Sequence, residues 1–176
     1  MKRIYAKSAA LLLVSALFLG GCGSAQEESN AAKKPASNHE ASGFHGEHTT
    51  NGDVREETAS AKQLPGFLQG KDKAMAVIYA AAGQNKELLE NIPCYCGCSE
   101  SAGHRDNYDC FIHENKESGA VVWDDHGTRC GVCLETASES ITLYKSGKSI
   151  KEIRDLIDDK YKEGYAAPTP TQMPKG

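Results

Sequence analysis

Residues 93–98 read Pro93-Cys94-Tyr95-Cys96-Gly97-Cys98, three thiols at alternate positions in a chain with seven cysteines. This string restricts the local fold more than any other. The residue before a proline is pushed out of the helical region, so a helix arriving from the N-terminal side stops at Ile92. The thiols therefore fall where a helix ends and an irregular loop begins. Two positions apart, their sulfurs are close enough to share one metal ion and badly placed to bond to one another. The chemistry indicated is that of thiols or of a soft metal.

What thiols can do depends on where they reside. The chain opens with Lys2, Arg3 and Lys7, then an apolar run from Ala9 to Leu19, then Leu19-Gly20-Gly21-Cys22. A basic start, an apolar stretch of about 11 residues and small residues before a cleavage point describe a secretory signal peptide. The run is too short to span about 30 Å of hydrocarbon as a helix. Leu-Gly-Gly-Cys resembles the lipobox of bacterial lipoproteins, which implies that residues 1–21 are removed and that Cys22 is lipidated. Two acyl chains on Cys22 would meet the requirement for stable anchoring. The expected location is the extracytoplasmic face of the cell membrane.

The chain has 20 basic and 24 acidic side chains, a formal charge of −4. Losing Lys2, Arg3 and Lys7 with the signal peptide takes this to −7. An acidic surface without a basic cluster is a poor partner for nucleic acid. From Cys22 to Leu64 the residues are mainly Ser, Ala, Glu, Asn, Lys, His and Gly, with Phe44 and Val54 isolated. Too little apolar surface is available there to offset ordering entropy, so 22–64 reads as a disordered tether reaching roughly 35 Å from the lipid. Its three histidines, His39, His45 and His48, are at best weak metal scavengers.

Residues 65–167, roughly 100 in all, suffice for one domain with a modest core. Met75, Ile78, Ala82, Leu89 and Ile92 follow helical spacing, interrupted at Gly83-Gln84-Asn85. Tyr108–Ile112 and Ala120–Trp123 suit a small hairpin around Lys116-Glu117-Ser118-Gly119. Cys133, Ala137, Ile141 and Tyr144 predict another helix ending at Gly147. Ser149-Ile150-Lys151-Glu152 is a capping box opening a last helix with Ile150, Ile153, Leu156, Ile157 and Tyr161 on one face, closed by Gly164. Residues 168–176 read as a flexible tail. The fold class expected is mainly α, a small helical domain with an irregular Cys-rich loop region and at most one short β-hairpin.

Setting Cys22 aside leaves Cys94, Cys96, Cys98, Cys110, Cys130 and Cys133. An exported domain with six cysteines can be a disulfide scaffold, a stapled interaction module without metal. Scaffolds, however, spread cysteines so that different elements become stapled. Here three crowd one turn and two form Cys130-Gly131-Val132-Cys133. Thiolates select Cu(I), Zn(II) or iron–sulfur units. The CxCxC loop and the CxxC together offer four or five thiolates, with Cys110, His104 or His126 to complete the shell. Free vicinal thiols outside the cytoplasm oxidise unless metal or a reductant protects them. Cu(I) is the first choice of ion and Zn(II) the second. A thiol–disulfide exchange role is the third reading. Arg129 and a helix N-terminus beside Cys130 are the surroundings in which thiols become reactive.

Two family resemblances bear on this. Cys130–Cys133 with Leu-Glu-Thr-Ala-Ser-Glu-Ser behind it, then Gly147–Ile153 and Asp159-Lys160-Tyr161, resembles the CxxC-helix–helix core of cytochrome c maturation thiol oxidoreductases over about 35 residues, although those proteins lack CxCxC. The second covers the whole domain. Pro93–Cys98, Gly103-His104, Tyr108-Asp109-Cys110-Phe111, Trp123-Asp124-Asp125-His126 and Cys130–Cys133 resemble the bacterial PCYCGC-motif lipoproteins. That resemblance implies lipid anchoring and a shared Cys/His constellation, and no particular reaction.

The candidate metal ligands are thus Cys94, Cys96, Cys98, Cys110, Cys130, Cys133, His126 and His104, with Cys130 and Cys133 as the redox alternative. His113 reads as plain surface, Trp123 as core, and Asp124 with Asp125 as a solvated turn. Tyr95, like Trp123 were it not core, is a candidate to stack over a copper–thiolate site. No GxGxxG, P-loop, HExxH or GxSxG occurs, so a conventional small-molecule enzyme is not expected. The expected partners are the membrane, through the anchor, and exported metalloproteins or thiol proteins.

Overall fold

The structure is a computed structural model that describes residues 46–175. The signal peptide, Cys22, His39 and His45 lie outside the described residues.

Two short strands come first, β1 (Gly46–His48) and β2 (Val54–Thr58). A one-turn 3-10 segment at Gly66–Leu68 leads to α1 (Lys73–Ala82), which the Asp72 side chain caps by accepting from the Ala74 N–H at 2.7 Å. After Gly83, α2 (Lys86–Leu89) runs into Pro93 and the thiol loop, followed by α3 (Ser99–Ala102). A 3-10 turn at Tyr108–Cys110 precedes β3 (Ile112–Asn115) and β4 (Val121–Asp124). A further 3-10 turn at His126–Arg129 leads to α4 (Gly131–Lys145) and α5 (Ile150–Tyr161). The Ser149–Glu152 capping box is present in full at the start of α5.

The four strands form one antiparallel sheet in the order β1-β2-β4-β3. The expectation of a mainly α fold with at most one hairpin is therefore corrected: the architecture is mixed α/β. The hairpin of β3 and β4 starts at Ile112, because Tyr108–Cys110 turns instead of extending. The strands that were not foreseen come from residues 46–58, within the segment expected to be tether. Their sequence is polar because hydrogen bonds, not apolar contacts, seat it. Glu56 accepts from the N–H groups of Gly66 and Phe67 at 2.6 and 3.1 Å. Thr58 accepts from the Trp123 indole at 2.8 Å, and Asp125 takes the Val54 N–H at 2.7 Å. Each bond satisfies a buried or edge-on polar group that hydropathy alone counts against burial.

The inner face of the sheet meets the helices through Trp123, which is fully buried, and Tyr79 of α1, which packs on Phe67, Phe111 and Trp123. Arg55, Glu57, Glu114 and Lys116 line a polar groove with Val122 on the other side. Helix α4 packs against α1, α2 and α5. Its N-terminus, and with it the CxxC, is thereby carried to the thiol loop at the end of α2. Among the described residues no helix is long and apolar enough to cross a membrane.

The stretch expected to be a flexible tail also has fixed partners. Thr169 donates its N–H to the Cys94 carbonyl at 3.1 Å, and its hydroxyl accepts from the Cys94 N–H at 2.9 Å. Arg154 reaches the carbonyls of Thr171 and Gln172, both at 3.2 Å. A proline-rich extended segment makes no internal ladder, and here the Thr169 N–H and hydroxyl satisfy the backbone of the thiol loop.

Candidate metal centre

Pro93 ends the helical run, and the Asn107 N–H closes the Ile92 carbonyl at 2.8 Å. Thr169 then clamps Cys94 from both sides of its backbone. Gly97 turns the loop with φ 76°, a left-handed conformation that a β-carbon disfavours. As a result Cys94 is buried, Cys96 half-buried and Cys98 exposed. Cys110 enters from the 3-10 turn before β3 and is fully buried. Cys130 is the N-cap of α4 and Cys133 lies in its first turn, three residues on and on the same face.

These six thiols converge and all are free. The Cys94 sulfur lies 3.0 Å from that of Cys96, 3.6 Å from Cys110 and 3.8 Å from Cys133. A disulfide would need about 2.05 Å. A metal–sulfur bond of about 2.3 Å puts sulfurs of one tetrahedral shell about 3.8 Å apart. Three groups that include thiols have their ligand atoms within 4.8 Å of one another: Cys94, Cys110 and Cys133; Cys96, Cys130 and Cys133; and Cys96, Cys98 and His126. These groups could hold a metal.

The protons on the cluster follow from this crowding. Hydrogen bonds from Cys130, then Cys133, hold the Cys96 thiol down at about 4. Cys133, then Cys94, does the same for Cys110, at about 7. Cys133 is pushed far up, because its bonds to Cys110, Cys130, Cys94 and Cys96 all favour its protonated form. Burial raises Cys98, and the neighbouring charge of Cys96 adds to it. The bank thus combines donated thiol protons with developed thiolate character, and a soft cation bound there would displace the remaining protons.

His126 joins the cluster from the side of the sheet. Its Nδ1 lies 3.1 and 3.3 Å from the two carboxylate oxygens of Asp53, which leaves Nε2 as the free ring nitrogen. Contact with Cys96 raises its pKa. Asp53 itself is buried, paired with Arg129 and bonded by the Asn51 amide at 2.6 Å. A carboxylate fixing one nitrogen of a histidine that lies beside thiols is the usual outer support of a metal-binding imidazole.

A family model described as "Protein of unknown function with PCYCGC motif" matches residues 11–174. The chain belongs to the PCYCGC family. No curated protein and no solved structure matches it.

Of the ligands expected from sequence, the structure brings together the six cysteines of the PCYCGC domain and His126. His104 is placed differently. Its ring stands edge-on to that of His126 with centroids 4.6 Å apart, it is buried, and neither ring nitrogen has a hydrogen-bond partner. Burial, then the charge of His126, lowers its pKa. With His113, Arg55, Arg105 and Asp109 it lines a groove of about 250 Å³. Cys22 lies outside the described residues.

The reading of Asp124 and Asp125 as a solvated turn is corrected. Asp124 is fully buried, paired with Arg55 at 3.1 Å and accepting from the His126 N–H at 2.9 Å. Tyr95 stacks on Tyr161 with centroids 5.0 Å apart and bonds to Asp158. Arg129 engages Asp53 and Asp125. Sequence reasoning missed Asp53 and Thr169. For Asp53 a signal existed: Asn51-Gly52 between two short polar runs is a hairpin dipeptide, and Asp53 follows it directly.

Proposed function

We propose that this protein is a membrane-anchored, extracytoplasmic lipoprotein that binds Cu(I) through its CxCxC loop and CxxC helix start, for delivery to an exported acceptor or for protection. The observation that carries the reading is the position of Cys133: it belongs at once to two groups of three sulfurs drawn from three separate stretches of chain. Soft thiolates favour Cu(I) over hard cations. Two of the groups offer three thiolates each, a shell that satisfies Cu(I); Zn(II), which takes four ligands in structural sites, is the second choice. The Leu-Gly-Gly-Cys22 sequence supports lipid anchoring.

Thiol–disulfide exchange is favoured by one observation. Cys130 is a partly accessible helix N-cap three residues before a buried Cys133, the arrangement of an attacking and a resolving thiol.

The test uses the full chain carrying Cys22→Ser, so that the seventh thiol does not enter the count. Purified in mild detergent without oxygen, it is equilibrated with Cu(I) against a chromogenic Cu(I) chelator, and in parallel with Zn(II). Retention of Cu(I) against the chelator is expected. Failure to retain either ion, with cysteines recovered as disulfides, contradicts the reading. A single labile Cys130–Cys133 bond in the same sample supports exchange instead.

A further inference from the structure

The three ligand groups are not separate. Cys133 belongs to the first and second, and Cys96 to the second and third. If each group held its own ion as an independent site, nine ligand atoms would be needed, and only seven residues supply them. The shortfall of two is the number of shared sulfurs. Thiolate sulfur has several lone pairs and bridges two soft ions readily, which neither imidazole nor a protonated thiol does. Burial grades along the same path. Cys98 is exposed, Cys96 and Cys130 are half-buried, and Cys133, Cys94 and Cys110 are buried.

We propose that this centre, where it takes up Cu(I) as inferred above, is one polynuclear site of three ions, with Cys96 and Cys133 as bridging thiolates and the exposed Cys98–His126 end as its port. The innermost position is made of Cys94, Cys110 and Cys133. The middle one is made of Cys96, Cys130 and Cys133. The outermost, made of Cys96, Cys98 and His126, is the position a donor or acceptor protein can reach. Copper passes inward by exchange between groups that already share a sulfur, so no ion has to leave the thiolates on the way. In the filled site each cysteine binds as a thiolate, any proton it still carries leaves to solvent, and no electron moves.

The arrangement makes the bridging and terminal cysteines unequal, which is what a capacity measurement reads. The reduced Cys22→Ser chain is titrated anaerobically with Cu(I) and the loaded species are counted by native mass spectrometry. X-ray absorption on the saturated sample looks for copper–copper scattering. Saturation at three Cu(I) with such scattering is expected. Cys98→Ser, at an exposed position, should lower the capacity to two. Cys96→Ser, which removes a ligand from two groups, should lower it to one. Circular dichroism of each variant without metal checks that the fold is kept. Saturation of the parent chain at one or two ions, or equal capacities for the Cys98 and Cys96 variants, overturns the bridged arrangement while leaving copper binding intact. No Cu(I) uptake at all overturns the functional reading as well.

Discussion

The carboxylate of Asp53 lies 3.1 Å from Nδ1 of His126, joining a residue from the β1–β2 turn to one from the turn before α4. The pair is held by Arg129 and Asn51, and so the imidazole presents its other nitrogen in a fixed orientation. Replacing such an outer partner of a metal-binding histidine usually lowers affinity about 10–100-fold. Asp53→Asn is therefore expected to weaken Cu(I) binding about tenfold in chelator competition, while thiol content is unchanged. An unaltered affinity would remove His126 from the site.

Thr169 holds Cys94 through both backbone groups of that residue. Thr169→Val keeps the shape and leaves the buried Cys94 N–H without its acceptor, a loss of about 1–3 kcal/mol. Denaturant unfolding at neutral pH measures it. A change below about 0.5 kcal/mol would mean that the C-terminal segment does not brace the thiol loop in solution.

Gly127 is closely surrounded. A β-carbon there would lie 2.9 Å from the Cys110 carbonyl oxygen, from the Phe111 ring and from the Tyr79 hydroxyl. Two of these neighbours are ring groups packed in the core, and the third is backbone. Gly127→Ala is expected to lower stability by about 1–3 kcal/mol in thermal or denaturant unfolding, through overpacking. A neutral result would show that the 3-10 turn at His126–Arg129 sits farther from the core.

Burial, then the charge of Asp109, raises the Asp106 carboxyl to about 6. The folded chain thus holds this proton more tightly than the unfolded chain, whose carboxyl titrates near the ordinary value of about 3.9. The stability so gained is fully present below about pH 4 and is lost as the pH rises through about 6. At pH 7.5 the ionised group costs up to about 3 kcal/mol. Asp106→Asn, which keeps an acceptor for the Asp109 N–H, should raise the melting temperature at pH 7.5 and much less at pH 4. Equal gains at both values would show that the group titrates normally.

The helical half of the fold was legible because its signals are local. The apolar spacing of α4 and α5 and the Ser149–Glu152 box act within a few residues. The thiols were legible because cysteine is sparse and its spacing in Cys94–Cys98 and Cys130–Cys133 is unusual. The sheet was not, since Glu56, Thr58 and Asp53 are placed by polar partners that are distant in sequence, among them Phe67, Trp123 and His126. Hydropathy reads such residues as solvent-facing. The setting of His104 was not legible for a related reason: chemistry nominates any histidine near cysteines, while only packing places its ring against that of His126.

The most direct test of copper binding by the gathered thiols is their protection. The reduced Cys22→Ser chain is treated anaerobically with a thiol alkylating reagent, with and without prior Cu(I) loading, and the adducts are counted by intact mass. The account predicts that all six cysteines of the domain alkylate in the metal-free chain after mild unfolding, and that none does so at a comparable rate when copper is bound. Equal alkylation of all six with and without copper, or thiols that alkylate only after disulfide reduction, would contradict it.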